Sequence, residues 1–256
     1  MKQLSIALSA LLILGLTTFA GPEPLSTGKE MQQVAPAPEL SWTGFYVGLH
    51  AGGQFGHSET NDLDNYYFFA HHHFGYSESG FNLGGQVGYN FQFGRIVVGP
   101  EFDLGYMNLD GTGDERMRIV NLGVAHGYSD SDFYTTLRGR IGYALGADQS
   151  WLFYATGGAI GVNYFTRYFA AEAVLPPCGV DTQKTELNWG YTVGAGIARR
   201  LGKHWSIKAE YLYFSLDEQP FSGREVMQNP QTLLDLYHFE GDTMGHIVRA
   251  GLDFHF

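Results

Sequence analysis

The chain has 256 residues and a formal net charge of −11, which excludes the basic surface that phosphate neutralisation needs and so excludes nucleic acid as a partner. Charged residues are 16%, aromatic residues 15%, and there are 35 Gly, unlike the roughly 25% charged and about 7% Gly of soluble domains. The single cysteine, Cys178, leaves no intramolecular disulfide and no thiolate zinc site.

Residues 1–20 read as a secretory leader. Lys2 supplies the positive start, Ser5 to Leu16 a short apolar run, and Thr18-Phe19-Ala20 small residues at −3 and −1 of a cut after Ala20. The run is shorter than the roughly 20 residues of a spanning helix. Residues 21–41 contain Pro22, Pro24, Pro36 and Pro38, lack periodicity, and read as a flexible periplasmic linker. Nothing later is long and apolar enough for a transmembrane helix, so any membrane crossing must use strands.

From Trp42 to Phe256 the pattern has period two, the mark of strands with two unlike faces. The first strand sets Phe45, Val47, Leu49 and Ala51 against Tyr46, Gly48, His50, Gly52 and Gln54. The second sets Phe81, Leu83, Val87, Tyr89, Phe91 and Phe93 against Asn82, Gly84, Gln86, Gly88, Asn90 and Gln92. The third has Ile96, Val98, Phe102, Leu104 and Tyr106 opposite Gly99, Glu101, Asp103 and Gly105. The fourth has Phe133, Leu137, Ile141 and Tyr143 opposite Thr136, Arg138, Arg140 and Gly142.

The fifth, about 151–165, carries no charge to set its parity. Its small residues Ala155, Gly157, Ala159 and Gly161 are assigned inward, which sends Leu152, Tyr154, Ile160, Val162 and Tyr164 outward. The sixth sets Trp189, Tyr191, Val193, Ala195 and Ile197 against Gly190, Thr192, Gly194 and Gly196. The seventh sets Trp205, Ile207, Ala209, Tyr211 and Tyr213 against Ser206, Lys208 and Glu210; Leu212 and Phe214 break the pattern by pointing inward and are expected above the membrane, near the loop rim. The last sets Val248, Ala250, Leu252, Phe254 and Phe256 against Arg249, Gly251, Asp253 and His255.

Connections alternate in length. Short ones lie around Gly94, at 146–150 and at 202–204; long ones lie at about 57–79, 109–130, 166–187 and 216–244. Short turns on one rim and long loops on the other match outer-membrane barrels, and an even strand count puts both termini on the short-turn, periplasmic side.

The apolar face must point out. An eight-stranded barrel has an interior just wide enough for side chains to fill, and the bulky residues of the apolar face would crowd it. Glu101, Asp103, Arg138, Arg140, Lys208, Glu210, Arg249 and Asp253 all fall on the opposite, small face. A Lys or Arg facing the lipid midplane costs roughly 2–4 kcal/mol. Aromatics also gather at strand ends: Phe45, Phe91, Phe93, Tyr143, Trp205 and Phe256 at one rim, and Phe55, Phe81, Tyr106, Phe133, Tyr164, Trp189 and Tyr213 toward the other. Such belts belong at membrane interfaces. The expected fold is an all-β, eight-stranded antiparallel up-and-down transmembrane barrel spanning 42–256.

Trp42-Thr43-Gly44-Phe45-Tyr46-Val47-Gly48 resembles the first strand of small opacity- and surface-antigen-type, porin-like outer-membrane proteins. So do the segments Leu137–Tyr143, Tyr154–Gly158 and Trp205–Tyr213. The terminal strand, with Leu252, Phe254 and Phe256, resembles the signal that the barrel-assembly machinery reads. The resemblance covers nearly the whole mature chain and implies the fold and the cell outer membrane, but no shared catalytic residue.

The function expected is a structural or surface-contact role in the envelope, with outer-membrane lipids as partners and a surface ligand reached through the long loops. A narrow porin-like channel is the alternative, because the inward charges form either a neutralised filling or an ion path. An outer-membrane hydrolase is the third reading and the weakest. His57-Ser58-Glu59 are consecutive and cannot form a relay together, and Gly75-Tyr76-Ser77-Glu78-Ser79 lacks the second glycine of a nucleophile elbow. His71-His72-His73 alternate in direction and offer at most a weak surface metal site. Gly194-Ala195-Gly196 lacks the third glycine of a dinucleotide fingerprint. Catalytic, cofactor and metal residues are therefore none. Acids and aromatics cluster in the long loops, at Asp62, Asp64 and Tyr66 to Phe69 in the first and at Asp235, Tyr237 and Phe239 in the fourth.

Overall fold

The computed structural model describes residues 40–63, 73–117, 123–172, 178–225 and 236–256. The leader with its cut after Ala20, nearly all of the 21–41 linker, His71, His72 and the aromatic tip Tyr66 to Phe69 lie outside the described residues, as do the side chains of His73 and Cys178.

The strands are β1 (Gly44–Asp62), β2 (His73–Phe93), β3 (Ile96–Met117), β4 (Gly123–Leu145), β5 (Trp151–Glu172), β6 (Cys178–Arg200), β7 (Trp205–Glu225) and β8 (Leu236–His255). They form one closed barrel in chain order, each antiparallel to its neighbours. β8 closes on β1 from Tyr46↔His255 to Asp62↔Phe239. Closure is what lipid demands, because no backbone donor or acceptor at an open edge would find water.

β1 has 19 residues and β4 has 23, about twice the 9–11 that cross a bilayer. The stretches expected as long loops are therefore mostly ladder, as in Ser58↔Tyr76 and Thr112↔Tyr128. Between strand ends there remain only 63–72, 118–122, 173–177 and 226–235. Beyond the lipid the outer face need not be apolar, so the alternation fades while hydrogen bonding continues. At the other rim Gly94 (φ +62°) supplies the left-handed residue of the two-residue turn joining β2 to β3. Along β3 the ladder to β2 skips from Gly88↔Glu101 to Phe91↔Val98, where Pro100 has no N–H to donate.

On the outer wall Leu49, Leu137 and Ile141 are among the most exposed side chains, while Tyr46, His50 and Gln86 are buried inside. β5 corrects the expected parity. Leu152, Tyr154, Ile160, Val162 and Tyr164 are buried in the lumen, and Ala155, Gly157 and Ala159 take the outer wall. Glycines on the neighbouring strands explain it. A Cβ on Gly196 of β6 would sit 2.5 Å from the Tyr154 ring, and one on Gly142 of β4 would sit 2.8 Å from Tyr154 Cβ. Those glycines leave the volume that the inward tyrosine occupies. A Cβ on Gly161, also outward, would sit 3.2 Å from the indole of Trp189.

One register shift separates β3 from β4 between Gly105 and Gly111. Ser131 stitches it, its Oγ accepting from Leu109 N and donating to Met107 O, both at 3.0 Å. Two apolar clusters fill the lumen at different heights. Met107, Leu109, Tyr134, Ile160, Val162, Tyr164, Leu212, Phe214, Leu216 and Ile247 form the one nearer the long strand ends. Trp42, Val97, Ala144, Leu152, Tyr154 and Ala198 form the other at the short-turn rim. Leu212 and Phe214 do point inward, but Leu212 pairs level with Gly194 and Ile247, one inward step from Glu210 and Arg249. They flank Tyr213 of the outer belt along β7 and so pack at its level, directly above the charge layer.

Candidate functional site

The inward charges lie between those two apolar layers. Register sets Glu101 directly opposite Arg138 on β3 and β4, and Glu210 directly opposite Arg249 on β7 and β8, the arrangement in which cross-strand charges meet. Closure then joins the two pairs across the lumen. Arg249 Nη2 reaches Asp103 Oδ2 at 2.9 Å and Glu210 Oε2 at 2.5 Å. Arg138 contacts Glu101 closely, Asp103 at 2.8 Å and Glu210 at 3.3 Å. Lys208 Nζ and Arg140 Nη1 approach Glu101 Oε2 at 3.2 and 3.4 Å.

Neutral groups complete the cluster. Tyr46 donates to Glu101 at 2.7 Å, Tyr154 to Glu210 at 3.0 Å, and Thr136 to Asp103 at 2.7 Å. Arg140 donates twice to Asn90 Oδ1 and lies 4.6 Å over the Tyr46 ring. Asp253 stands apart: it accepts from Gln86 Nε2, not from a base. Four bases and four acids balance within this middle layer, and Arg138 and Arg249 are each 2% exposed. Tyr46, His50, Gln86 and Asn90 share the inward parity of their strands and were legible as lining, though not as network members. Tyr154 was hidden by the wrong parity of β5.

Trp42, just before β1, closes the short-turn mouth. Its indole Nε1 donates to Gln149 O at 2.8 Å, its backbone N to Gln92 Oε1 at 2.6 Å, and Arg200 lies 5.5 Å over its ring. At the far side, beyond the outer aromatic belt, Glu78 Oε1 accepts from Ser58 at 2.9 Å and closely from Ser129 and Tyr164. Burial pushes this carboxyl above its ordinary value.

The remaining candidates fall apart in space. Ser58 turns inward to Glu78 and Thr243 (2.8 Å), whereas His57 and Glu59 pair on the exposed side at 3.5 Å. No relay links the three. Among the described residues no group of three or more His, Cys, Asp or Glu is placed to hold a metal. Gly194-Ala195-Gly196 is ladder within β6. Leu252, Phe254 and Phe256 lie along the outer wall of the closing strand. The Phe256 ring lies tilted against Phe45 at 5.5 Å, and Phe254 meets Trp205 edge-on at 5.1 Å.

Residues 30–256 match the family model described as the outer membrane protein beta-barrel domain. The chain belongs to that family. It is 26% identical over 262 residues to a 31 kDa outer-membrane immunogenic protein of Brucella melitensis, covering 98% of this chain and 99% of that one. It is 32% identical over 201 residues to a 22 kDa outer membrane protein of Rhizobium leguminosarum, covering 75% of each. Among solved structures it aligns with the Pseudomonas aeruginosa outer membrane protein OprG at TM-score 0.47 and 12% identity, covering 86% of this chain and 100% of that one. As a member of the barrel family the chain resides in the cell outer membrane.

Proposed function

We propose that this protein is a closed, non-conducting barrel that reinforces the envelope and holds strand-built extensions outside the cell, with both termini in the periplasm. The observation that carries this reading is the layered filling of the lumen. Trp42 occupies one mouth, a neutral charge cluster the middle, and ten packed apolar and tyrosine side chains the level above. A hydrated ion would have to break each layer in turn. Buried ion pairs are a poor source of stability, because desolvation offsets their attraction; here they keep a polar interior neutral and filled.

The Brucella relatives are named as immunogenic, which accords with an outward-presented part, and the extensions beyond the outer belt are where this chain would offer one to a surface ligand. The short turns share a rim with the start of β1 and the end of β8, which supports a periplasmic placement of that rim. Leu252, Phe254 and Phe256 would then be available to the assembly machinery before β8 closes. Planar-bilayer recording on folded, heat-modifiable protein tests the proposal. A silent bilayer is expected. Steady single-channel current whose ion selectivity changes on Glu101→Lys or Arg138→Glu would overturn it in favour of a narrow ion path.

A further inference from the structure

Because β5 turns its small residues outward, the lipid-facing wall is hollowed between β3 and β6. A groove of about 530 Å³ is lined there by Ile96, Ile141, Tyr143, Phe153, Ala155 and Ala195, a volume within the roughly 300–1,000 Å³ of small-molecule sites. Its floor is low because Ala155 pairs level with Ala195, while the aromatic and isoleucine side chains form its sides. In a bilayer such a hollow is filled by a hydrocarbon chain or covered by another protein.

Charge beside the groove selects between these. Among the described residues at the three short turns and the adjoining strand ends, the bases are Arg95, Arg199, Arg200 and Lys203, and the acid is Asp148. This basic rim stands on a chain of net charge −11. Arg200 turns inward over Trp42, but Arg199 faces out, its guanidinium 4.9 Å over the Trp151 ring. Arg95 directly precedes Ile96 and reaches the Ala144 carbonyl at 3.5 Å. The two arginines therefore flank the rim end of the groove, Arg95 beside β3 and Arg199 on β6. Arg199 lies four residues from Ala195 along β6, roughly 13 Å at the rise of a strand. That spacing suits a phosphate at the interface with its chain reaching up the wall.

We propose that this groove, with Arg95 and Arg199, binds one anionic phospholipid of the leaflet at the short-turn rim, a reading that rests on the periplasmic placement of that rim given above. A second copy of the chain fits less well. A two-fold contact about an axis normal to the membrane would set the same basic rim against itself, with like charges facing.

The test is native mass spectrometry of the folded protein in neutral detergent with equimolar phosphatidylglycerol and phosphatidylcholine. One retained phosphatidylglycerol is expected in preference to phosphatidylcholine, with the preference falling about fivefold for each of Arg95→Gln and Arg199→Gln. Ala155→Phe, which fills the groove from the lipid side, is expected to abolish retention of either lipid while heat-modifiability persists. Equal retention of both lipids, a preference untouched by the arginine changes, or retention untouched by Ala155→Phe would each overturn the proposal. So would a stable dimer that Ala155→Phe dissociates. Detergent has no sidedness, so these outcomes are independent of orientation, which protease access to the N-terminus in intact cells tests separately.

Discussion

Glu101→Gln should be the most damaging isosteric change in the lumen. The substitution keeps shape and removes one charge, so the middle layer of four bases and four acids gains a net charge of about +1. Arg138 keeps Asp103 at 2.8 Å and Glu210 at 3.3 Å, and Arg140 keeps its bonds to Asn90. Lys208, however, loses the acid at 3.2 Å to which its ammonium points. Breaking a buried pair by removing one partner costs about 3–5 kcal/mol, because the survivor stays desolvated. The assay is reversible urea unfolding in phospholipid vesicles, followed by tryptophan emission and the heat-modifiable gel shift. Adding Lys208→Met restores neutrality, so the double variant should recover part of the loss, with a coupling of about 1–3 kcal/mol. A cost for Glu101→Gln below about 1 kcal/mol, or strict additivity with Lys208→Met, would refute the reading of the cluster as a mutually dependent unit.

Gly245→Val should prevent folding or cost several kcal/mol, since even a Cβ there would lie 2.6 Å from the Phe214 ring and 3.0 Å from the Phe55 carbonyl; yield of the heat-modifiable form after refolding measures it. Glu78, beyond the outer belt, gives a pH signature. Its folded pKa is raised above the ordinary value of about 4.5 by burial, so its contribution is fully present below that value and is lost as pH rises through the elevated folded pKa. Unfolding midpoints of the wild type should therefore fall across that window, and Glu78→Gln should flatten the fall. Parallel pH profiles of the two proteins would contradict this.

Strand number, strand order and the faces of seven strands were legible because they follow from side-chain alternation and turn residues, which are local. Charges anchored that reading: Glu101 and Asp103 on β3 or Arg138 and Arg140 on β4 cannot face lipid. β5 lacks such an anchor. Its parity depends on Gly142 and Gly196, on other strands, which leave room for Tyr154, and a rule that puts small residues inside fails when the neighbours already supply the space. The expected long loops failed for a related reason. Outside the bilayer the outward positions of Ser58↔Tyr76 and its neighbours need not be apolar, so hydrophobicity ceased to report strands that hydrogen bonds still hold.

By itself the sequence determined an exported barrel with an apolar wall and a charged, small-residue lining, because side-chain direction alternates along any extended strand and lipid tolerates only one assignment of the two faces. Only the tertiary structure decided how the lining is used. Arg249 to Asp103 and Lys208 to Glu101 are chords across the lumen, set by closure and register, and a shift of one residue on either strand would turn each group to the lipid. The same closure tucked Trp42 into the mouth, stacked Leu212 and Phe214 above the charges, and turned Ala155 outward to hollow the wall. Alternation says which way a side chain points; what it meets there depends on strands distant in the chain.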